Sequence, residues 1–196
     1  MKLEDVMAKI YDSNDFTAGG GSASAVSAAM AASLVGMVAR LSVGKGLELS
    51  DEVYESLAAG MDEVSLALRD GAVRDLEAFL GIKSAYALPK GTEEEKAERR
   101  EAIEKAAFGA ADVPGKNALL ARKVESAASK LAGRSNANAA SDLEVGSDFA
   151  NSAIKGCLAN IRANLPLIHD PIKVEEFKSF VREMEEDMKA GKGTKE

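Results

Sequence analysis

The sequence predicts an all-α fold, a multi-helix up-and-down bundle of long antiparallel helices, and three observations carry that expectation. Alanine is abundant while aromatics make up only 5% and tryptophan is absent; alanine favours helix and lets helices pack closely. Apolar residues recur at three- and four-residue spacing along most of the chain. No stretch keeps the strict alternation of a half-buried strand, and there is no internal repeat. With 196 residues the chain fits one domain with a full core, spanning 1–196.

Composition narrows the function classes. Apolar residues at 46% and charged residues at 29% are the balance of a folded chain rather than a disordered one. A net charge of −7 argues against a general nucleic-acid surface, though not against a small anionic ligand held by a local cluster. Cys157 is the only cysteine and His169 the only histidine, so neither a disulfide framework nor a metal site can be argued. The lone cysteine fits a reducing cytoplasm. The first residues, MKLEDVMAKIYD, are charged and amphipathic and do not form a secretory signal.

The first helix follows from Leu3, Val6, Met7 and Ile10, an apolar stripe that Asp12-Ser-Asn-Asp15 ends. Then comes Thr17-Ala-Gly-Gly-Gly-Ser-Ala-Ser-Ala25, with no charge until Arg40. Gly19, Gly20 and Gly21 let backbone amides approach a ligand closely, and Ser22 or Ser24 can cap the helix that follows, from about Ser22 to Leu41. Such a loop suits an anion or a polarised carbonyl; the alternative is an ordinary flexible turn before a core helix. The uncharged stretch is about long enough to span a bilayer. Its Ala, Ser and Gly content makes it a buried core helix instead.

Ser50 caps the next helix, with Asp51 and Glu52 in its first turn and an apolar stripe running toward Tyr86. Leu88-Pro-Lys-Gly91 closes it. Thr92 and Glu95 form a capping box for a helix whose face carries the i,i+4 pairs Glu95–Arg99 and Glu101–Lys105. Ala111-Asp-Val-Pro-Gly115 breaks that pattern, and a new helix starts near Pro114 and ends near Gly133. Ser135-Asn-Ala-Asn-Ala-Ala-Ser-Asp142 opens the last long helix. Asp170-Pro171 caps a terminal helix reaching about Met188, and Lys189–Glu196 is a frayed tail.

Several residues in this frame could carry chemistry. Ser135, Asn138 and Asp142 fall on one face of the last long helix, a face that continues through Gly146, Phe149, Ala153 and Asn160. An amide and a carboxylate entering an apolar face need partners, since burying them unpaired costs on the order of 1–3 kcal/mol each. Asp142 lies too far along to be explained as a cap. Asp75 sits beside an apolar stripe one turn before Phe79, where an ion pair with a neighbouring arginine is the plainer reading. Lys90 can reach an anionic ligand or cap the preceding helix. His169, at a helix junction, reads as structural rather than as a general base.

Taken in order, these segments resemble the cyclodeaminase/cyclohydrolase family, the C-terminal domain type of formiminotransferase-cyclodeaminase. The matching segments are Gly19-Gly-Gly-Ser22, Asp75-Leu-Glu-Ala-Phe79, Leu88-Pro-Lys90, Thr92-Glu-Glu-Glu-Lys96, Val113-Pro114, Ser135-Asn-Ala-Asn138 with Ser141-Asp142, and Asn160-Ile-Arg-Ala-Asn164. Two positions depart from the family pattern: Ala18 where proline is common, and Gly115 where a bulky apolar residue often follows Pro114. His169 matches no family motif.

The resemblance implies a helical homodimer, with a tetrahydrofolate derivative as substrate and no further cofactor, metal, nucleic acid or membrane. With no room for a transferase domain, it implies a stand-alone enzyme that closes 5-formiminotetrahydrofolate to 5,10-methenyltetrahydrofolate with loss of ammonia. A methenyltetrahydrofolate cyclohydrolase or a non-catalytic folate-binding dimer on the same scaffold are the alternatives. On this reading Asp142 handles the proton or the developing cation and Asn138 orients it. Asp75 grips the pterin edge. Gly19–Ser22 and Lys90, with Ser135 and Asn136, hold the substrate's oxygens.

Overall fold

The computed structural model describes residues 1–190. Its helices are α1 (Leu3–Tyr11), α2 (Gly20–Ser42), α3 (Asp51–Tyr86), α4 (Glu93–Leu131), α5 (Ala140–Asn164) and α6 (Pro171–Ala190), and no strand occurs among the described residues. Of the tail expected to fray, Lys189 and Ala190 close α6, while 191–196 lie outside the described residues.

Helices α2 to α5 form the up-and-down bundle, each antiparallel to the next. Ser22 meets Asp75 while Arg40 meets Asp62, so α2 and α3 run in opposite directions. Gly71 faces Asn117 while Tyr86 faces Arg99, which does the same for α3 and α4. Ala110–Asn164 and Gly115–Ile161 reverse α5 against α4, and Ser24–Gly156 with Val35–Gly146 bring α5 back beside α2. The interior is largely alanine, with Ala28, Ala32, Ala111, Ala118, Ala121 and Ala150 fully buried, so backbones approach closely. Helix α2 is the one described helix long and apolar enough to cross a bilayer, and it is the core helix of this bundle. Helix α1 seals one side by packing Val6 on Ala25, Ala72 and Leu76. Helix α6 seals another, with Phe177 5.5 Å from Phe108.

Length mismatch shapes the end that matters. Helices α3 and α4 have 36 and 39 residues against 23 and 25 for α2 and α5. At about 1.5 Å per residue, the longer pair overhangs the start of α2 and the end of α5.

Two caps form as the sequence predicts. Thr92 and Glu95 complete their box, and Asp170 Oδ1 accepts the Ile172 and Lys173 amides at 2.9 and 3.3 Å. Other expectations fail. Ser50 holds the N-cap position of α3 without a side-chain hydrogen bond. Pro114 does not start a helix: α4 runs through it. The missing amide leaves the Ala110 carbonyl free of its helical donor, and the Asn164 side chain supplies one at 3.1 Å. Ser135–Asp142 does not open α5 either. Asn136 Oδ1 accepts the Asn138 amide at 3.1 Å, a local turn that competes with α-helix, so Ala137–Ala139 is a 3-10 turn and α5 begins at Ala140. Ser135, Asn138 and Asp142 therefore share no helical face. Gly19 caps α2 without a side-chain acceptor, because Ser24 donates to the Gly20 carbonyl and Ser22 points elsewhere. Glu95 is engaged in its box and Arg99 donates to the Tyr86 carbonyl, so their expected pairing does not form.

Gly71 marks a close approach of α3 to α4. A Cβ there would lie 2.9 Å from Asn117 Cγ and 3.1 Å from its Nδ2, which is buried and has no hydrogen-bond partner. Gly71→Ala is expected to destabilise by about 1–3 kcal/mol through overpacking, and Asn117→Ala added to it restores most of the loss, as read from urea midpoints.

Candidate functional site

Glycine at position 21 is required by what lies opposite. A Cβ on Gly21 would stand 2.6 Å from Asp75 Oδ2, nearer still to Oδ1, and 2.7 Å from Asn160 Nδ2. These groups from α3 and α5 converge on a point where α2 offers no side chain. Ser22, the next residue, donates its hydroxyl to Asp75 Oδ2 at 2.8 Å. A cavity of about 340 Å³ opens here, lined by Gly19, Gly21, Asp75, Phe79, Asn160 and Asn164 among others. Phe16 and Thr17, from the loop before α2, complete its rim. Lys9 and Thr17 both bond Asp15, whose carboxyl is held well below its ordinary value by them, and this fixes the loop that presents Phe16, 86% exposed.

Asp75 is 8% exposed. Burial pushes its carboxyl above the ordinary aspartate value, against the opposing pull of Ser22. No cation contributes, so the ion pair with an arginine expected from the sequence does not form. Cys157, on the same side of α5, has its thiol pushed up to about 12 by burial and by the Asp75 charge, which keeps it protonated and unreactive. A buried carboxyl with a raised value, a hydroxyl donor and a nearby amide can take up and return a proton while stabilising charge on a neighbouring atom.

The remaining sequence candidates lie elsewhere. Gly20 is exposed beside the cavity. Lys90 is exposed on the α3–α4 turn. Asn136 is a structural tie: its Nδ2 donates to the Leu41 carbonyl at 3.0 Å and its backbone amide to Ser42 Oγ at 2.9 Å. With Ser135 it lines a separate cavity of about 510 Å³ that also includes Glu144 and Asp148. Asn138 is exposed and Asp142 half-buried in the first turn of α5. Asp142 does lie on the line of α5 that leads to Asn160, but about five turns away, roughly 27 Å along the axis. Within one chain the triple glycine and Asp142 therefore sit at opposite ends of the bundle. His169 uses its backbone, its amide donating to Glu104 Oε1 at 2.9 Å, and its side chain is exposed.

Asn160 and Asn164 are polar cavity residues that sequence reasoning assigns no role. Two asparagines one turn apart at the end of an otherwise apolar helix line were the available signal.

The raised carboxyl has a stability consequence. The folded state holds the Asp75 proton more tightly than the unfolded chain does, so the burial penalty is absent below the unfolded value, grows as pH rises toward the folded value, and stays constant above it. Asp75→Asn is expected to raise the melting temperature at pH 8, with the gain shrinking as pH falls through the ordinary carboxylate range. Calorimetry at several pH values checks this, and a pH-independent change contradicts it.

Comparison with known proteins places this geometry in a family. Residues 3–183 match the family model described as formiminotransferase-cyclodeaminase. A methenyltetrahydrofolate cyclohydrolase of Methylorubrum extorquens is 35% identical over 168 residues, covering 82% of this chain and 77% of that protein. A formimidoyltransferase-cyclodeaminase of Gallus gallus is 33% identical over 178 residues, covering 88% of this chain; the chain spans only 32% of that relative's length. The crystal structure of a formiminotetrahydrofolate cyclodeaminase from Thermotoga maritima superimposes with a TM-score of 0.82 at 28% identity, covering 97% of this chain and 91% of that one. The chain belongs to the formiminotransferase-cyclodeaminase family of folate one-carbon enzymes.

Proposed function

We propose that this chain is a methenyltetrahydrofolate cyclohydrolase, working in the cytoplasm, with Asp75 as its proton-transfer group. The observation that carries the reading is the convergence of Asp75, Ser22 and Asn160 above Gly21. The Methylorubrum relative supports the choice of reaction, since the match extends over most of both chains. The substrate's amidinium carbon is cationic and suits a cavity whose one ionisable lining group is a carboxyl.

Asp75 takes a proton from water as the oxygen bonds to that carbon. The carbon's bond to N5 then breaks, Asp75 returns its proton to N5, and the hydroxyl proton is lost to solvent. One water is consumed, one proton is released and a formyltetrahydrofolate leaves. Phe16 and Phe79 offer ring faces to the planar parts of the folate. The adjoining cleft of about 740 Å³, with Ile82, Lys83 and Tyr86, receives the benzoyl-glutamate, Lys83 being better placed than Lys90 for its carboxylates.

Cyclodeamination is the second reading, favoured by the Thermotoga fold match. There N10 attacks the formimino carbon, the N10 proton passes to the formimino nitrogen, and Asp75, whose raised value favours the acid form, gives that nitrogen the second proton with which it leaves as ammonia. Offering 5,10-methenyl- and 5-formiminotetrahydrofolate separately, and following the methenyl absorbance, distinguishes them: loss of absorbance with the first is expected. Asp75→Asn is expected to lower kcat by about 10²-fold or more, while Asp142→Asn stays within a few-fold. The reverse order restores Asp142 to the mechanism.

The homodimer implied by the family resemblance is also part of this proposal. Met30, Met37 and Leu41, spaced along one line of α2, are exposed, and Leu66 of the neighbouring α3 is exposed as well. An apolar stripe on the bundle's core helix suits a second copy of the chain. Light scattering is expected to give a dimer that Met37→Glu converts to monomer; a monomeric wild type contradicts it.

A further inference from the structure

The roles assigned so far leave unexplained a proline in the middle of the longest helix and a pair of asparagines ending α5. The two features meet in one hydrogen-bonded unit. Pro114 has no amide to give the Ala110 carbonyl, and Asn164 Nδ2 donates to that carbonyl at 3.1 Å. The same nitrogen lies 3.0 Å from the Asn160 carbonyl and 3.3 Å from Asn160 Oδ1. An amide nitrogen carries two protons and accepts nothing, so one serves the Ala110 carbonyl and the other is shared between the two Asn160 oxygens. With its oxygen turned to Asn164, the Asn160 side chain has only its NH₂ group left to present. That group stands beside the Asp75 carboxylate, above Gly21.

We propose that Asn164, clamped by the carbonyl that Pro114 leaves free, is a positioning residue that turns Asn160 so that a donor, not an acceptor, faces the cavity beside Asp75. The inference rests on the folate reading for what the donor serves: the oxygen that bonds to the one-carbon unit. A fixed donor aimed at an oxygen gaining charge lowers a barrier without reorganisation. An acceptor at the same place repels both that oxygen and the Asp75 carboxylate.

The groups facing Asp75 are Ser22 from α2, Asn160 and the Cys157 thiol from α5, and the apolar Ala110 from α4; Phe16 and Thr17 lie across the cavity. Removing a donor from this set moves Asp75 titration to higher pH.

The test compares Asn160→Ala, Asn164→Ala and the double variant. If Asn164 works through Asn160, each single change lowers kcat by roughly tenfold or more with the folate KM within about threefold, and the double variant is no slower than Asn160→Ala alone. Additive losses in kcat, or a lowered melting temperature with kcat unchanged, overturn the proposal. Should Asn164→Ala fail to fold, the isosteric Asn164→Asp replaces it and is expected to lose activity by turning Asn160 over. Wild-type protein that turns over neither folate sinks the functional reading rather than this one. Carboxyl-carbon NMR then decides alone: Asp75 titrates at higher pH in both single variants if the proposal holds, and moves only in Asn160→Ala if it fails.

Discussion

The cavity at one end of this bundle depends on a carboxylate buried against a helix start that carries no side chain. Asp75 reaches into the core from α3, and only hydrogen at Gly21 lets it and Asn160 occupy the same point. Any larger residue would push the carboxylate toward water, where burial would no longer raise its value; the proton-transfer role proposed for it depends on that burial. The glycine run thus serves less as a cradle of amides than as an absence that two other helices fill. Ser22 partly offsets the burial, which keeps Asp75 within the bundle without neutralising it through a cation.

Helix length decides where the cavity can be. Because α2 begins and α5 ends while α3 and α4 continue, the overhanging pair walls a space that the shorter pair floors. The loop before α2, tied by Asp15 to Lys9 and Thr17, brings Phe16 over that space. Pro114 adds a second device. In a helix interior it ordinarily costs about 3 kcal/mol, yet here the carbonyl it frees is answered from α5, so a local fault becomes a link between two walls of the site.

The all-α class, the long antiparallel helices and two of the caps could be read from the sequence because they rest on local signals: apolar spacing, the Thr92–Glu95 box and the Asp170–Pro171 start. Pro114 misled because its compensation comes from Asn164, 50 residues away in the chain and invisible to local reasoning. Ser135–Asp142 misled because Asn136 bonds its own turn and the end of α2 instead of joining a helix. The triple glycine, Ser22 and Asp75 were picked out separately as candidates. Their meeting was not, since α3 had to return antiparallel to α2 in one particular register. Helical-face reasoning puts Asp142 on the line of α5 that leads to Asn160 but at the opposite end of the bundle from Gly21, because azimuth repeats along a helix while depth does not.

The central claim is that folate chemistry takes place at Gly21 and Asp75. A crystal structure with a stable formyltetrahydrofolate tests it most directly, since the two ends of the bundle offer separate cavities. The account predicts the one-carbon unit within hydrogen-bond reach of Asp75 and Asn160, with an aromatic ring of the ligand against Phe16 or Phe79. A ligand lodged beside Ser135 and Asp148, leaving the Gly21 cavity empty, would contradict it.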